Sequence, residues 1–211
     1  MPVLRTVLPF ALAVCMLGAA GGLAGWGPWR APHAQAAGAD FAPPDGDICI
    51  VRPALPLAGA EHPYDPASGL AMHAARPVPA AARCAVCGMY PARHPAWATQ
   101  VIYADGKAWF FDSAVDMVLF LDAPRRYTGG RDPGAVAARY VSDHAAGGGW
   151  VEADAAWFVL GSVVRGPMRG PDLPAFATRA AAETFAAAHG GRVLRFAELD
   201  ARAVAAAAAR R

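Results

Sequence analysis

The sequence predicts an α+β fold built from two similar small ββα-type modules with antiparallel strands. Three observations carry this expectation. Apolar residues alternate over 97–103 and return over 108–111 across Asp105-Gly106, a dipeptide suited to a tight hairpin turn. An apolar segment with a hydroxyl cap opens at Ser113. The order strand, strand, helix then recurs: Phe111-Asp112-Ser113 followed by Phe120 is matched by Phe176-Ala177-Thr178 followed by Phe185, at a constant offset.

In chain order, residues 1–36 read as a signal peptide or membrane anchor. Arg5 supplies a positive start, no charge occurs from Thr6 to Trp29, and Ala34-Gln35-Ala36 is an Ala-x-Ala cleavage candidate. Trp26 and Trp29 would suit a membrane interface if the segment is kept. Leu12-Ala13-Val14-Cys15 matches a bacterial lipobox only in part, because Val14 is bulky where a small residue is expected. Export would place Cys49, Cys84 and Cys87 where disulfides can form. Residues 37–83 form an arm rich in Pro, Ala and Gly, a spacer or a wrapping segment, with one strand candidate at 47–51. It carries Cys49, His62, Met72 and His73 of its own.

Residues 84–211 are the α/β domain, with module one at about 84–135, module two at about 136–199 and a terminal helix at about 198–210. In module one, Val115, Val118, Leu119, Phe120 and Leu121 give the helix an apolar face; Pro124 ends it, and 124–135 reads as a loop. Module two is expected to hold strands at 138–142 and 156–164, then a loop with Met168. A helix over 178–189 would be stopped by Gly190-Gly191 before a last strand at 192–196. Trp97, Trp109, Trp150 and Trp157 fall at strand positions and are expected in the core, as is Met117; His144 and His189 are expected at the surface.

Of the 19 Lys and Arg residues only Arg5 and Arg30 precede residue 37, which leaves 17 against 17 Asp and Glu in the body. So even a balance offers no basic face for nucleic acid. Gly-x-Ser-x-Gly, His-Glu-x-x-His and phosphate-loop motifs are absent, and Asp112-Ser113 is better explained as a helix cap than as part of a triad. No enzyme is expected, and no catalytic residue.

The chemistry concentrates in Cys84-Ala85-Val86-Cys87-Gly88-Met89, two thiols and a thioether on a turn. A structural zinc site would need two further ligands, which Cys49 and a histidine would have to supply. A thioredoxin-like pair should follow a strand and open a helix, whereas here a Pro-rich segment precedes it and Gly88 follows. A plain disulfide, within the pair or to Cys49, remains open as a resting state. A transient soft-metal site alone gives Met89 a purpose, and outside the cytosol the soft ion bound by Cys and Met is copper, as Cu(I). Met168, in a Gly-Pro-Met loop, is a further ligand candidate; His94, shortly after the motif, is a weaker one.

From Cys84 onward the chain resembles the NosL family of exported accessory proteins for nitrous oxide reductase. The resemblance rests on Cys84–Met89, Asp105-Gly106, Phe110-Phe111-Asp112-Ser113, Asp116-Met117, Gly161-Ser162, Gly166-Pro167-Met168, Phe176 and Gly190-Gly191, over about residues 84–199. It implies a duplicated α/β module and Cu(I) bound through sulfur, with Cys84, Cys87, Met89 and Met168 as ligand candidates. It also implies copper delivery to nitrous oxide reductase or its assembly machinery from a periplasmic protein tethered to the membrane. Two non-copper readings stay beside it: a thiol–disulfide oxidoreductase, and an interaction module stapled by zinc or a disulfide.

Overall fold

The computed structural model describes residues 57–209. The expected leader, its Cys15, the strand candidate at 47–51 and Cys49 lie outside the described residues. No helix among those described is long and apolar enough to cross a membrane.

Two antiparallel sheets share one topology. In the first, β2 (Thr99–Tyr103), β3 (Ala108–Phe111), helix α1 (Ala114–Asp122) and β4 (Val136–Ser142) follow one another, with β2 between β3 and β4. In the second, β6 (Trp157–Leu160), β7 (Ala175–Phe176), helix α3 (Arg179–His189) and β8 (Arg192–Arg195) do the same, with β6 in the centre. The registers correspond: Thr99 faces Phe111 and Val141, and Trp157 faces Phe176 and Arg195. The repeat is therefore ββαβ. The strand expected to open module two is β4, which pairs with β2 and closes the first sheet instead. Its partner is chosen by burial, since Val141 packs into the core around β2 while the residues after Ser142 turn away to β5 (Trp150–Glu152).

The segment 124–135, expected as a loop, holds helix α2 (Pro124–Thr128) and a 3-10 turn at Pro133–Ala135. Pro124 ends α1 and starts α2, because its fixed φ suits a first helical position. Helix α4 (Ala201–Ala208) is capped by Asp200, whose carboxylate accepts the Ala203 N–H. Ser113 and Thr178 cap α1 and α3 in the same way.

Every residue of β2 is buried, because both faces of the first sheet are covered. On one face Val101, Tyr103, Trp109 and Phe111 meet Met117 and Phe120 of α1, with Phe158 and Ala175 of the second sheet and Val204 of α4 in the same core. On the other face Ile102, Ala108 and Phe110 pack on Ala82 and Val78 of the arm. Gln100, fully buried there, exchanges two hydrogen bonds with the backbone of Arg76 (3.2 and 3.1 Å), so no polar group is left unpaired. The arm also adds β1 (Glu61–His62) to the edge of β3, and its described part is a wrapping element. Of the four tryptophans expected inside, only Trp109 is fully buried; Trp97, Trp150 and Trp157 are half-buried. His144, expected at the surface, is half-buried with its ring 4.5 Å from Trp97 and 5.5 Å from Phe185. Its Nδ1 lies 3.3 Å from the Ala96 carbonyl, so the ring has a polar partner at this depth.

Candidate metal centre

The Cys84–Met89 segment is a closed backbone loop. The Cys84 N–H donates to the Met89 carbonyl (2.8 Å) and the Gly88 N–H to the Cys84 carbonyl (2.9 Å). Closing it needs a left-handed residue, and Gly88 supplies φ +78° without a Cβ penalty. Beyond the loop, the guanidinium groups of Arg83 (4.4 Å) and Arg93 (4.7 Å) both stack over the Tyr90 ring, which ties the two ends of the strap to one another.

Facing this loop is the corner between β3 and α1. Ser113 Oγ accepts the N–H groups of Val115 (3.1 Å) and Asp116 (3.4 Å), and the capped turn holds Asp112 just before the helix and Asp116 in its first turn. Both carboxylates point at the thiols. Cys84 Sγ donates to Asp116 Oδ2 at 3.1 Å, and Cys87 Sγ donates to Asp112 Oδ1 at 2.9 Å. One donor atom from each of these four residues lies within 4.8 Å of the other three. Cys84 is fully buried and Cys87 half-buried; both are free thiols.

Electrostatically the thiols and acids of the cluster burden one another. The Cys87 thiol is pushed far up, first by its hydrogen bond with Cys84, then by burial, the charge on Cys84 and the nearby Asp116. Burial raises the Asp116 carboxyl, while the neighbouring thiols of Cys87 and Cys84 act in the opposite direction. The second oxygen of Asp112 is buried with no hydrogen-bond partner among the described residues. A cation seated between the sulfurs would relieve each of these effects, provided the thiol protons can leave. The carboxylates already accept hydrogen bonds from those thiols.

A cavity of about 730 Å³ opens beside the cluster and is walled by Ser113, Asp116, Met168 and Asp172. Met168 sits at the tip of a hairpin in which Arg165 bridges Pro171 and the Arg169 N–H donates to Gly166 (2.9 Å). The Gly-Pro-Met pattern has a steric reason at its first position: a Cβ on Gly166 would overlap the carboxylate of Asp172. Asp172 is itself buried. Burial pushes its carboxyl up to about 7 against the Leu173 N–H and the Ser113 hydroxyl, and the charges of Asp116 and Asp112 push the same way as burial.

Among the four ligand candidates, the fold brings the Cys84 and Cys87 sulfurs together. Met89 follows them in the loop and closes it through its carbonyl, its side chain half-buried. Met168 stands apart, more than half exposed, across the cavity from Asp116. Met117 is fully buried in the core, as expected. His94 ends the 3-10 turn Pro91–Arg93 and is not part of the donor cluster. The sequence reading took Asp112 for helix-cap chemistry, met Asp116 among the residues that carry the family resemblance, and passed over Asp172. One signal was available: at the matching positions of the repeat, Ala177 and Ala181 replace Asp112 and Asp116. A corner that folds with two alanines does not need two buried acids for folding.

Comparison with known proteins gives a consistent answer. The family model described as NosL matches residues 75–204. The chain is 31% identical over 121 residues to the copper-binding lipoprotein NosL of Achromobacter cycloclastes, covering 54% of this chain and 61% of that protein. It is 32% identical over 117 residues to the protein of the same name from Stutzerimonas stutzeri, covering 56% and 61%. The chain thus spans less than two thirds of the length of either relative. Among solved structures it is similar to the copper chaperone NosL from Shewanella denitrificans, with a TM-score of 0.53 and 27% identity over 60% of this chain and 96% of that one. With a family match running through both sheets and the thiol–carboxylate cluster, the chain belongs to the NosL family.

Proposed function

We propose that this protein carries one Cu(I) ion, bound by the thiolates of Cys84 and Cys87 and by thioether sulfur from Met89 and Met168, and hands it on for maturation of the copper–sulfur centre of nitrous oxide reductase. The observation that carries the reading is the convergence of two thiols on two carboxylates within 4.8 Å. Relatives named as copper-binding proteins and a copper chaperone support the choice of ion.

Charge decides how the four groups divide the work. Thiolate is soft and suits Cu(I), whereas carboxylate is a poor ligand for it. Two thiolates, two carboxylates and one Cu(I) would leave three negative charges in a buried site. If the thiol protons pass to Asp112 and Asp116 as the metal enters, only one remains. The carboxylates thus act as proton acceptors during loading and return the protons to sulfur during release. The ion leaves by exchange, one incoming ligand replacing one outgoing sulfur, and Met168 on its exposed loop is placed to make the first contact. Apart from these reversible proton transfers and metal–sulfur exchanges no bond is made or broken in this cycle, and the protein is a carrier rather than an enzyme. The leader and the lipoprotein names of the relatives support a site of action in the periplasm, tethered to the membrane.

Anaerobic titration of the reduced protein with Cu(I), against a chromophoric chelator, tests the reading. Wild type should bind one ion tightly, with weaker binding in Cys84→Ser, Cys87→Ser, Met89→Leu and Met168→Leu. Binding indifferent to both methionines would refute the sulfur set. One observation favours a second reading: two sulfurs and two carboxylate oxygens could give a four-coordinate Zn(II) site. Zinc binding that needs Asp112 and Asp116 but neither methionine would select that reading instead.

A further inference from the structure

We propose that the mouth of the cavity beside the metal centre, formed by the 165–172 segment, is the docking surface for an acidic partner segment that carries a soft donor, methionine or histidine. The inference rests on the carrier reading above for its purpose, but the surface itself is defined by features that do not involve copper.

The first feature is access. Cys84 is fully buried, and its thiol is bonded to Asp116 Oδ2. Asp116 forms part of the cavity wall, so the cavity reaches to within one carboxylate of the buried sulfur. Its volume of about 730 Å³ is that of a ligand site and admits a side chain with part of its backbone. An acceptor ligand approaching by this route arrives on the Cys84 side of the centre.

The second feature is what surrounds the mouth. Met168, 55% exposed, lines the mouth, and Val163, 78% exposed, precedes it in the chain; they are the two most exposed large apolar residues among those described. Arg165 and Arg169 alternate with them and also line the cavity. Among the described residues neither guanidinium pairs with a carboxylate, a state they share with several other arginines, but these two are the ones that line the cavity. Arg165 spends one N–H on the Arg169 carbonyl (2.9 Å), which stiffens the hairpin and leaves the rest of its donors facing outward. Arg169 holds a left-handed φ of +60°, the only non-glycine to do so among the described residues, so the hairpin presents its side chains in an imposed direction.

Exposed apolar groups between unpaired arginines fit a partner with the opposite charge and an apolar soft donor. Asp116 and Asp172 on the floor offer an acidic side chain no counter-charge in the depth of the cavity, where the lining holds no cation other than Arg165 and Arg169. Acidic groups are therefore held at the rim and only the uncharged thioether or imidazole is admitted. That division orients the partner with its soft donor inward.

The test uses two short synthetic peptides with the same methionines, one flanked by glutamates and one by lysines. Each is titrated into the metal-free, reduced protein while backbone amide shifts are followed, and then offered to the Cu(I)-loaded protein while transfer is timed. The acidic peptide should shift residues 165–172, weaken at high salt, and accept copper faster than the basic one. Arg165→Glu with Arg169→Glu should slow transfer to the acidic peptide by about 10-fold or more, the scale of electrostatic steering, without lowering Cu(I) affinity. Arg165→Gln with Arg169→Gln should give an intermediate loss and serves if the reversed pair misfolds. Equal binding of both peptides, shifts elsewhere on the surface, or an unchanged rate in the arginine variants would overturn the proposal. So would arginine-dependent binding to phosphatidylglycerol vesicles with no preference between the peptides. Failure of the wild type to bind Cu(I) would instead sink the carrier reading, because docking is measured without metal.

Discussion

Asp172→Asn should remove a large pH dependence from the stability of the metal-free protein. Asp172 is buried beneath the Met168 hairpin, and its carboxyl is raised from an ordinary 3.8 to about 7. Between these values the unfolded chain has lost the proton and the folded chain keeps it, so the folded state binds more protons and stability falls as pH rises. The contribution is fully present below 3.8, declines by about 1.4 kcal/mol per pH unit, and is lost once pH has risen through 7. The total is on the order of 4 kcal/mol. For a domain of this size that corresponds to a melting-point difference of roughly 10 °C. Asparagine keeps an oxygen for the Leu173 N–H, 2.7 Å away in the wild type, and cannot ionise. In urea and thermal melts of wild type and variant from pH 4.5 to 8.5, the variant should therefore gain on the wild type as pH rises to about 7, and the difference should level off above it. A stability difference that stays constant across that range would refute the assignment of a buried, proton-holding carboxyl at this position.

Three further outcomes follow from the same coordinates. Replacing Asp112 and Asp116 together by alanine removes two buried acids, so the melting temperature should hold or rise while iodoacetamide reaction at Cys87 speeds up, since nearby negative charge helps to hold that thiol protonated; slower alkylation would contradict the arrangement. Gly166→Ala should cost about 1–3 kcal/mol, because the new Cβ meets the Asp172 carboxylate, and the Asp172→Asn background should not rescue it, as the amide fills the same space; a wild-type melt would show the contact to be soft. His144 is held below its ordinary value chiefly by burial, with its Ala96 hydrogen bond opposing, so the unfolded state takes up its proton first on acidification. Stability should drop as pH falls through 6.5 and below, and His144→Gln should flatten that limb of the curve.

How far the sequence could be read depended on whether a feature was local. Hairpin, caps and helix stops involve neighbours in the chain, and Ser113, Thr178 and Gly190 took the positions that local chemistry assigns them. Strand partners are not local. Nothing in 136–142 announces that it pairs with β2 across the α1 connection, and the gap after Thr128 looked like a boundary because it is rich in Arg, Gly and Pro. Burial of the tryptophans failed for the same reason: strand alternation marks a face, and only the second sheet and the arm determine which faces are covered. At the site, Cys84 and Cys87 were legible from spacing, whereas their carboxylate partners stand 25 and 32 residues away and masquerade as helix-cap chemistry.

The repeat separates what folding needs from what the site needs. Both corners, β3 to α1 and β7 to α3, use a hydroxyl cap after a phenylalanine that ends the preceding strand, and both place a second phenylalanine inside the helix. These shared residues do the structural work in each copy. At the corner itself the copies part: Asp112 and Asp116 stand where the second has Ala177 and Ala181, and a strap carrying two thiols is laid across the first. Burying two carboxylates costs stability unless they are neutralised or paired. Here their closest partners are thiols, which donate weakly and leave one oxygen of Asp112 without a bond. An arrangement that folding does not require, and that is imperfectly satisfied as it stands, is one poised for a change of protonation. Arrival of a thiolate-binding cation is the change that fits both the sulfurs and the acids.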